Sequence, residues 1–498
     1  MINNDNPNNI QKAKTCNEAC AQLFPQASKH CQAFIETESC NLNEPSSLNL
    51  LDLNDDFWVL TLENAVFVAS ENQFRQYDPA SGIYGPVSES AIIQQILSSL
   101  NQCAPYFPSN LNYESFANLK NRTRLKSVVE RARDVLKVDD SYFLDHKRLH
   151  LSFTNGVLQI DTGKFHPSDP AQPVRQTLPV KYDPEAKCEV FLHSFLAHIL
   201  EPDDIDLLQR YLSQVLEGIN HSQSILVLTG DAGWGKSSLM KIVGGLVGWN
   251  RVGIVREQLF KNEFELAHYA GKNFLFHPDM PTSFLDRPEA SMFKQLVGGD
   301  PLWCDVKAED ERMVVEGNFP VVLACNGKPK FHIDEDAPAW LRRLVVLSFK
   351  QPGHEQHFGK MAELILQTES AGILNWLLAG RAKLAKDKLQ LTLTTEQKAR
   401  AATLLLASDS PSAFVRSALV KRRDAELGVV ELYEHYQEWC RNNQVRPFAS
   451  KQFSQSAKQE IEIGLGLKYR HDLGSGSEGA RRGWKGLALV GADDCGKG

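Results

Sequence analysis

A chain of 498 residues is several times the usual domain length of roughly 100–200 residues, so two to four domains are expected, each with a core of its own. An apolar fraction of 42%, a charged fraction of 23% and a mean hydropathy of −0.31 exclude a disordered or fibrous chain; no apolar run nears the ~18 residues of a membrane span, and the N-terminus "MINNDNPNNIQKAK" lacks the apolar block of a secretory signal, which points to the cytoplasm and no membrane partner. A net charge of −7 excludes a uniformly basic coat protein, yet residues 1–60 hold eight acidic and three basic side chains and residues 441–490 nine basic and four acidic ones, so a polyanion partner is expected at the C-terminal end.

Residues 1–50 are polar, rich in Asn, Gln and Ser, and read as a flexible or helical leader. Four of the ten cysteines fall here, Cys16, Cys20, Cys31 and Cys40, with His30 beside the third. A zinc site needs two close ligand pairs, and this loose spacing reads instead as reduced thiols. Residues 51–185 read as a mixed α+β domain. "FWVLTLENAVFVAS" and "QFRQYDPASGIYG" are strands closed by Asp-Pro and Ser-Gly turns, residues 89–137 hold helices such as "LKSVVERARDVLKV", and "HLSFTNGVLQIDTGKFHPSDP" is a second group of strands. Residues 186–222 follow as a helical collar with apolar residues at three-and-four spacing. Asp204 and Asp206 open one of its helices and read as an N-terminal cap rather than as metal-binding carboxylates.

Residues 223–386 alternate buried β-type runs ("SILVLT", "NFLFH", "FPVVLACN", "RLVVLSF") with helical stretches, the pattern of an α/β domain built on a parallel sheet. The first run passes through Gly230-Asp231-Ala232-Gly233-Trp234-Gly235-Lys236-Ser237-Ser238 into a helix. This is the strand–GxxxxGK[ST]–helix phosphate loop. Glycines let backbone N–H groups curl around phosphate oxygens, Lys236 reaches the terminal phosphates, and the Ser237 hydroxyl ligates Mg²⁺. "GKNFLFHPDMP" ends a second strand in Asp279, the expected carboxylate for the metal and the attacking water; His277 before it reads as structural. "FPVVLACNGKPKF" ends a third in Asn326, either a sensor amide for the terminal phosphate or half of an Asn-Gly turn. Arg342 and Arg343 precede the last strand, either to stabilise charge at a neighbouring subunit's phosphates or as a solvated turn paired with Asp334, Glu335 or Asp336. "EQHFGKMAELILQTE" and "AGILNWLLAGRAKLAKD" close the domain as two helices.

Residues 387–498 read as a polar hinge, to about 410, and then helix, turn, helix, strand, Gly/Ser loop, strand: a winged helix. Ser450, Lys451 and Gln452 stand where a helix enters a major groove, and Lys468, Arg470, Arg481, Arg482 and Lys485 are offered to phosphates. A winged helix that binds protein is the alternative. Trp484 reads as core.

The order phosphate loop, Asp279, Asn326, Arg342-Arg343, with "LACNGKPKF" and "DEDAPAWLRRLVVLSF", resembles the superfamily 3 helicases of the AAA+ class, in particular the primase-helicases of phages, plasmids, satellite elements and large DNA viruses. Upstream, "LSFTNGVLQIDTGKFHPSDP" and "LPVKYDPEAKCEVFLHSFL" look like the domain that precedes the helicase in the poxvirus and satellite-phage types. The resemblance implies ATP and Mg²⁺ as cofactors, a ring, usually a hexamer, with sites between subunits, and DNA threading the channel. It also implies a hairpin between the Asp279 and Asn326 strands carrying a cation to DNA, for which Lys307 and Arg312 are the candidates and Lys294 the approach. Two departures stand out. Pro278 occupies the place of a second acidic residue, and no cluster of primase carboxylates is found, so a separate primase or polymerase is expected. The expected function is an ATP-dependent replicative helicase of a mobile genetic element, acting on single-stranded and forked DNA. The alternative is a DNA-stimulated AAA+ ATPase that remodels or loads partner proteins, or a defence-type NTPase, without unwinding.

Overall fold

The computed structural model describes residues 58–103, 118–144, 150–305, 312–333, 337–352, 358–473 and 481–490, apart from positions 60, 119, 261 and 263. The leader with Cys16, Cys20, Cys31 and Cys40, the acidic run 334–336 and Lys307 lie outside the described residues. The chain divides into two compact units, Met1–Tyr182 and Asp183–Gly498.

In the first unit, β1 (Ala65–Val68), β2 (Gln73–Asp78), β3 (Ile83–Val87) and the short β4 (Lys137–Val138) form a sheet in the order β3-β2-β1-β4. The Asp-Pro turn between β2 and β3 is held by Asp78, whose carboxylate accepts from Ala80 N and Ser81 Oγ. Helices α1 (Glu89–Cys103) and α2 (Arg122–Val135) turn Ile92, Ile96, Leu100, Leu125 and Val129 onto Phe67 and Phe74, so helical three-and-four spacing meets strand alternation in one core. A separate antiparallel sheet runs β5 (His150–Phe153), β6 (Gly156–Gln159), β7 (Phe165–Pro167).

The second unit opens with a π-helical stretch, Val190–Leu196, and then α3 (Pro202–Ser213). Its centre is an all-parallel sheet in the order β14-β8-β13-β10-β9, made of β8 (Ile225–Thr229), β9 (Val252–Ile254), β10 (Phe274–Met280), β13 (Val321–Cys325) and β14 (Leu344–Ser348). All five residues of β8 and of β13 are buried, as strands covered on both faces must be, which is why they read as unbroken apolar runs. Between β10 and β13 the chain forms α5 (Met292–Gly298) and a hairpin of β11 (Asp300–Asp305) and β12 (Arg312–Gly317); α4 (Lys236–Val247) follows β8, and α6 (Ala337–Arg343) precedes β14.

Three expectations change. The two closing helices are one, α7 (Phe358–Lys386), unbroken at Gly372. A Cβ there would lie 2.1 Å from the Lys187 carbonyl oxygen, so the glycine marks a close crossing of helix and backbone rather than a break. The hinge is largely helical: α8 (Thr395–Ser408) begins with a full capping box, Thr394 to Gln397, and α9 (Ser410–Ala418) follows. Asp204 and Asp206 do not cap α3, whose N-cap is Glu201. Asp204 is 1% exposed and accepts from Arg400 (2.6 Å) and Gln397 (3.0 Å) of α8, and Asp206 accepts from Lys383 and Arg210. They are struts between helices.

The chain ends in β15 (Leu419–Gly428), α10 (Val429–Asn442), α11 (Ser450–Gly464), β16 (Tyr469–Leu473) and β17 (Arg481–Leu489), with the strands in the antiparallel order β15-β17-β16. Phe414, Tyr436, Phe453 and Trp484 fill the core between helices and sheet, Trp484 with no exposed surface. Among the described residues no helix is long and apolar enough to cross a membrane.

Candidate nucleotide-binding site

The loop after β8 turns on three glycines with positive φ: Gly230 (141°), Gly233 (84°) and Gly235 (93°). Gly235 caps α4, so the first turn of the helix opens at the end of the loop with its N–H groups directed forward. Trp234 folds back over the start of the loop. A Cβ on Gly230 would stand 2.9 Å from Trp234 Cε3 and 3.0 Å from Phe349 Cβ, so the indole and the residue after β14 fix the loop's shape from behind. The bulky residue is part of the loop's frame, and neither it nor Gly230 or Asp231 lines the cleft in front.

That cleft holds about 430 Å³ and is lined by Ala232, Gly233, Gly235, Lys236, Ser237 and Ser238 on one side and by Pro278, Asp279 and Asn326 on the other. Lys236 is nearly buried and donates to the carbonyl oxygens of Gly230 (2.6 Å) and Asp231 (2.8 Å). Burial pulls its pKa below the usual lysine range, against the pull of its neighbours Cys325, Asp231 and Asp279. Asp279 and Asn326 stand at the ends of adjacent parallel strands, and the Asn326 amide donates to Asp279 Oδ1 at 2.9 Å. Cys325, beneath them, is fully buried, and burial together with the charge of Asp279 pushes its thiol up to about 11, so it stays protonated. His277 turns away: its ring lies 4.7 Å from that of Phe284, and burial lowers its pKa, which keeps the imidazole neutral.

The cleft's remaining wall comes from a residue pair the sequence does not mark. Phe358 and Gly359, at the start of α7, line it as well, with Phe358 buried against Phe195 at 5.5 Å between ring centroids. Arg342 and Arg343 are elsewhere. They end α6 just before Leu344, which pairs with Ile225 at the far end of β8, so the five-residue strand, at about 3.3 Å per residue, puts roughly 16 Å between them and the loop of their own chain. Arg342 is exposed, while Arg343 is half-buried and donates to the Ala339 carbonyl. Hard oxygen donors face the cleft from Ser237 and Asp279, and no cluster of three His, Cys, Asp or Glu side chains suited to a metal occurs among the described residues. A divalent ion there would be held by those two oxygens together with phosphate and water, the usual arrangement for Mg²⁺.

Of the residues expected to meet nucleic acid, Arg312 begins β12 opposite Asp305, with Lys307 in the interval between them. Lys294 does not point along the hairpin. Its Nζ sits over the Trp340 ring at 5.1 Å. The hairpin's outer face carries instead Trp303, 64% exposed, opposite Val314. Lys451 is exposed in the first turn of α11, and Lys468, Arg470, Arg481, Arg482 and Lys485 are exposed on or beside β16 and β17, Arg470 in a two-bond pair with Asp472.

Two family models match the chain, one described as "D5 N terminal like" over residues 92–201, the other a family of unknown function (DUF5906) over residues 228–343. The second takes in the phosphate loop, both cleft strands, the hairpin and the arginine pair. A protein of Acanthamoeba polyphaga mimivirus, named as a helicase by inference, is 26% identical over 248 residues, or 46% of this chain and 25% of the relative. The chain therefore spans about a quarter of the length of that curated relative. Two apo structures of the NrS-1 C-terminal region are similar at 11% identity and TM-scores of 0.43 and 0.44; each covers 84% of this chain, and the matches take in 96% and 95% of theirs.

Proposed function

We propose that the chain is the motor of a replicative DNA helicase of a mobile genetic element, turning over ATP with Mg²⁺ and moving as a ring along single-stranded DNA from a fork. The observation that carries this reading is the bonded pair Asp279–Asn326 on neighbouring strand ends, facing Lys236 and Ser237 across one cleft. Lys236 exchanges the Gly230 and Asp231 carbonyls for phosphate oxygens. Ser237 and Asp279 would be the protein oxygens that hold Mg²⁺, which would supply screening of the phosphate charge. Asn326 sets the orientation of the Asp279 carboxylate, and its amide directs a hydrogen bond at the terminal phosphate or the attacking water. Arg342 and Arg343, out of reach of their own cleft, act on a neighbour's, so the ring completes each site. The superfamily 3 resemblance and the helicase-named relative support the DNA substrate. The C-terminal pair of helices with its three-stranded sheet acts as a winged helix that holds DNA, and a separate primase or polymerase extends what is unwound.

A forked duplex with one labelled strand tests the reading. Strand displacement that requires ATP and disappears in Lys236→Ala is the expected result. DNA-stimulated ATP turnover without displacement would overturn unwinding and leave a motor that remodels or loads other proteins.

A further inference from the structure

The C-terminal sheet carries charge on a strand that has no assigned role and lies beyond both family matches. β15 pairs with β17 over Leu419–Lys421 and again over Glu426–Gly428, with Lys421 opposite Leu487 and Glu426 opposite Lys485. Four residues, Arg422 to Ala425, therefore stand opposite the single Gly486. So wide a bulge drives the β15 backbone outwards, and β17 yields to it with a left-handed residue, Gly486 at φ 85°, a conformation that a side-chain-bearing residue adopts at a cost.

Arg422 and Arg423 are exposed on this bulge, and Lys421, the last paired residue before it, is exposed as well. The Lys421 Nζ lies 3.7 Å from where a Cβ on Gly466 would stand, in the turn that leads to Lys468. Lys468 precedes Tyr469, which pairs with Trp484, the neighbour of Lys485. Bulge, turn and middle strand thus bring five cations to one end of the sheet. Asp424, Glu426 and Glu462, which accepts from Tyr469 N beside Lys468, are carboxylates nearby, and Glu426 reaches Lys485 only at 3.9 Å on an exposed surface, a pair of little worth. Lys421, Arg423 and Lys468, like charges on one exposed surface, repel one another, and a polyanion relieves that repulsion. Among the described residues the exposed large aromatic side chains, Tyr142, Trp249, Phe264 and Trp303, belong to other elements, and the half-buried Tyr469 ring beside Lys468 is packed on Trp484 and His471 with Lys458 over it, so this end offers cations with little free stacking surface. That combination suits a phosphate backbone rather than unstacked bases.

We propose that the β15 bulge is a phosphate-binding ridge for duplex DNA, a surface distinct from the α11 face and the β16–β17 hairpin tip. It rests on the reading that the chain works on DNA, but not on ATP turnover. The test is anisotropy of a labelled 25-bp duplex with the full chain, without nucleotide, over a series of salt concentrations. At about 0.9 per phosphate contact, Lys421→Ala/Arg423→Ala lowers the slope of log K against log salt by about 1.8. Lys386→Ala/Lys398→Ala removes the same charge from α7 and α8 and leaves the slope unchanged. Equal slopes for wild type and the bulge variant, equal losses in both variants, no duplex binding by the wild-type chain, or an equal loss on a single strand of the same length would each overturn the ridge. Absence of ATP turnover would overturn the motor reading and leave this result standing.

Discussion

Asn326 donates to Asp279, and on the proposed reading its amide acts where the terminal phosphate meets the attacking water. Asn326→Ala is expected to lower ATP turnover about 10²-fold with KM little changed, the signature of a group that acts in the transition state rather than in binding. Steady-state kinetics with and without DNA check this, and unchanged turnover would remove the amide from the chemistry. At this scale the sequence is most informative where the constraint is local. Gly230, Gly233 and Gly235 each occupy a backbone conformation that favours glycine, so the loop is written in its own spacing. Asn326 is legible because it follows directly on the buried run of β13, and Asp279 because it stands three residues past the buried Phe274–Phe276 at the end of β10. Phe358 and Gly359 are not: they reach the cleft through the packing of a helix that begins well over a hundred residues after the loop, and nothing adjacent to them records it.

Among the elements, α7 is tied to the segment after α3 by a buried cluster. Glu217, with its side chain 2% exposed, accepts from Arg381 of α7 and from His221. Burial alone would raise the Glu217 pKa, but the bonds from His221 and Arg381 outweigh it and hold the carboxyl below its usual range. The stability this contributes is complete above the unfolded value, about 4.3, and is lost as pH falls through the lower folded value. Glu217→Gln should therefore destabilise by about 3–5 kcal/mol at pH 7, and the gap to wild type should narrow below about pH 4.3; thermal melts at pH 7 and in acid read it directly. Elements with strong periodicity or full burial were legible, as β8, β13 and α2 show. β15 was not, since only Leu419 and Leu427 of its ten residues are buried and its middle bulges away from its partner. The capping box at Thr394 was present in the sequence and would have marked α8 inside the supposed hinge.

For the whole molecule, the distance between the arginine pair and its own cleft makes a prediction about mixtures. Lys236→Ala and the double variant Arg342→Ala/Arg343→Ala should each be inactive alone, yet mixed rings should regain part of the ATP turnover, because some interfaces then join an intact loop to intact arginines. No recovery in mixtures shown by mass to exchange subunits would confine the site to one chain. Pairing of this kind, if the mixtures show it, leaves no mark in a single sequence beyond the arginines themselves. The sheet order has a consequence for biosynthesis. Strand β8 is flanked by β13 and β14, and Thr229 at its end meets Ser348, 119 residues later. At about 5–20 residues per second a ribosome takes roughly 6–24 s to deliver that neighbour. The loop after β8 leaves the tunnel long before the strands that brace it, and for that interval an apolar five-residue edge is exposed on the nascent chain, open to chaperones before the cleft has formed.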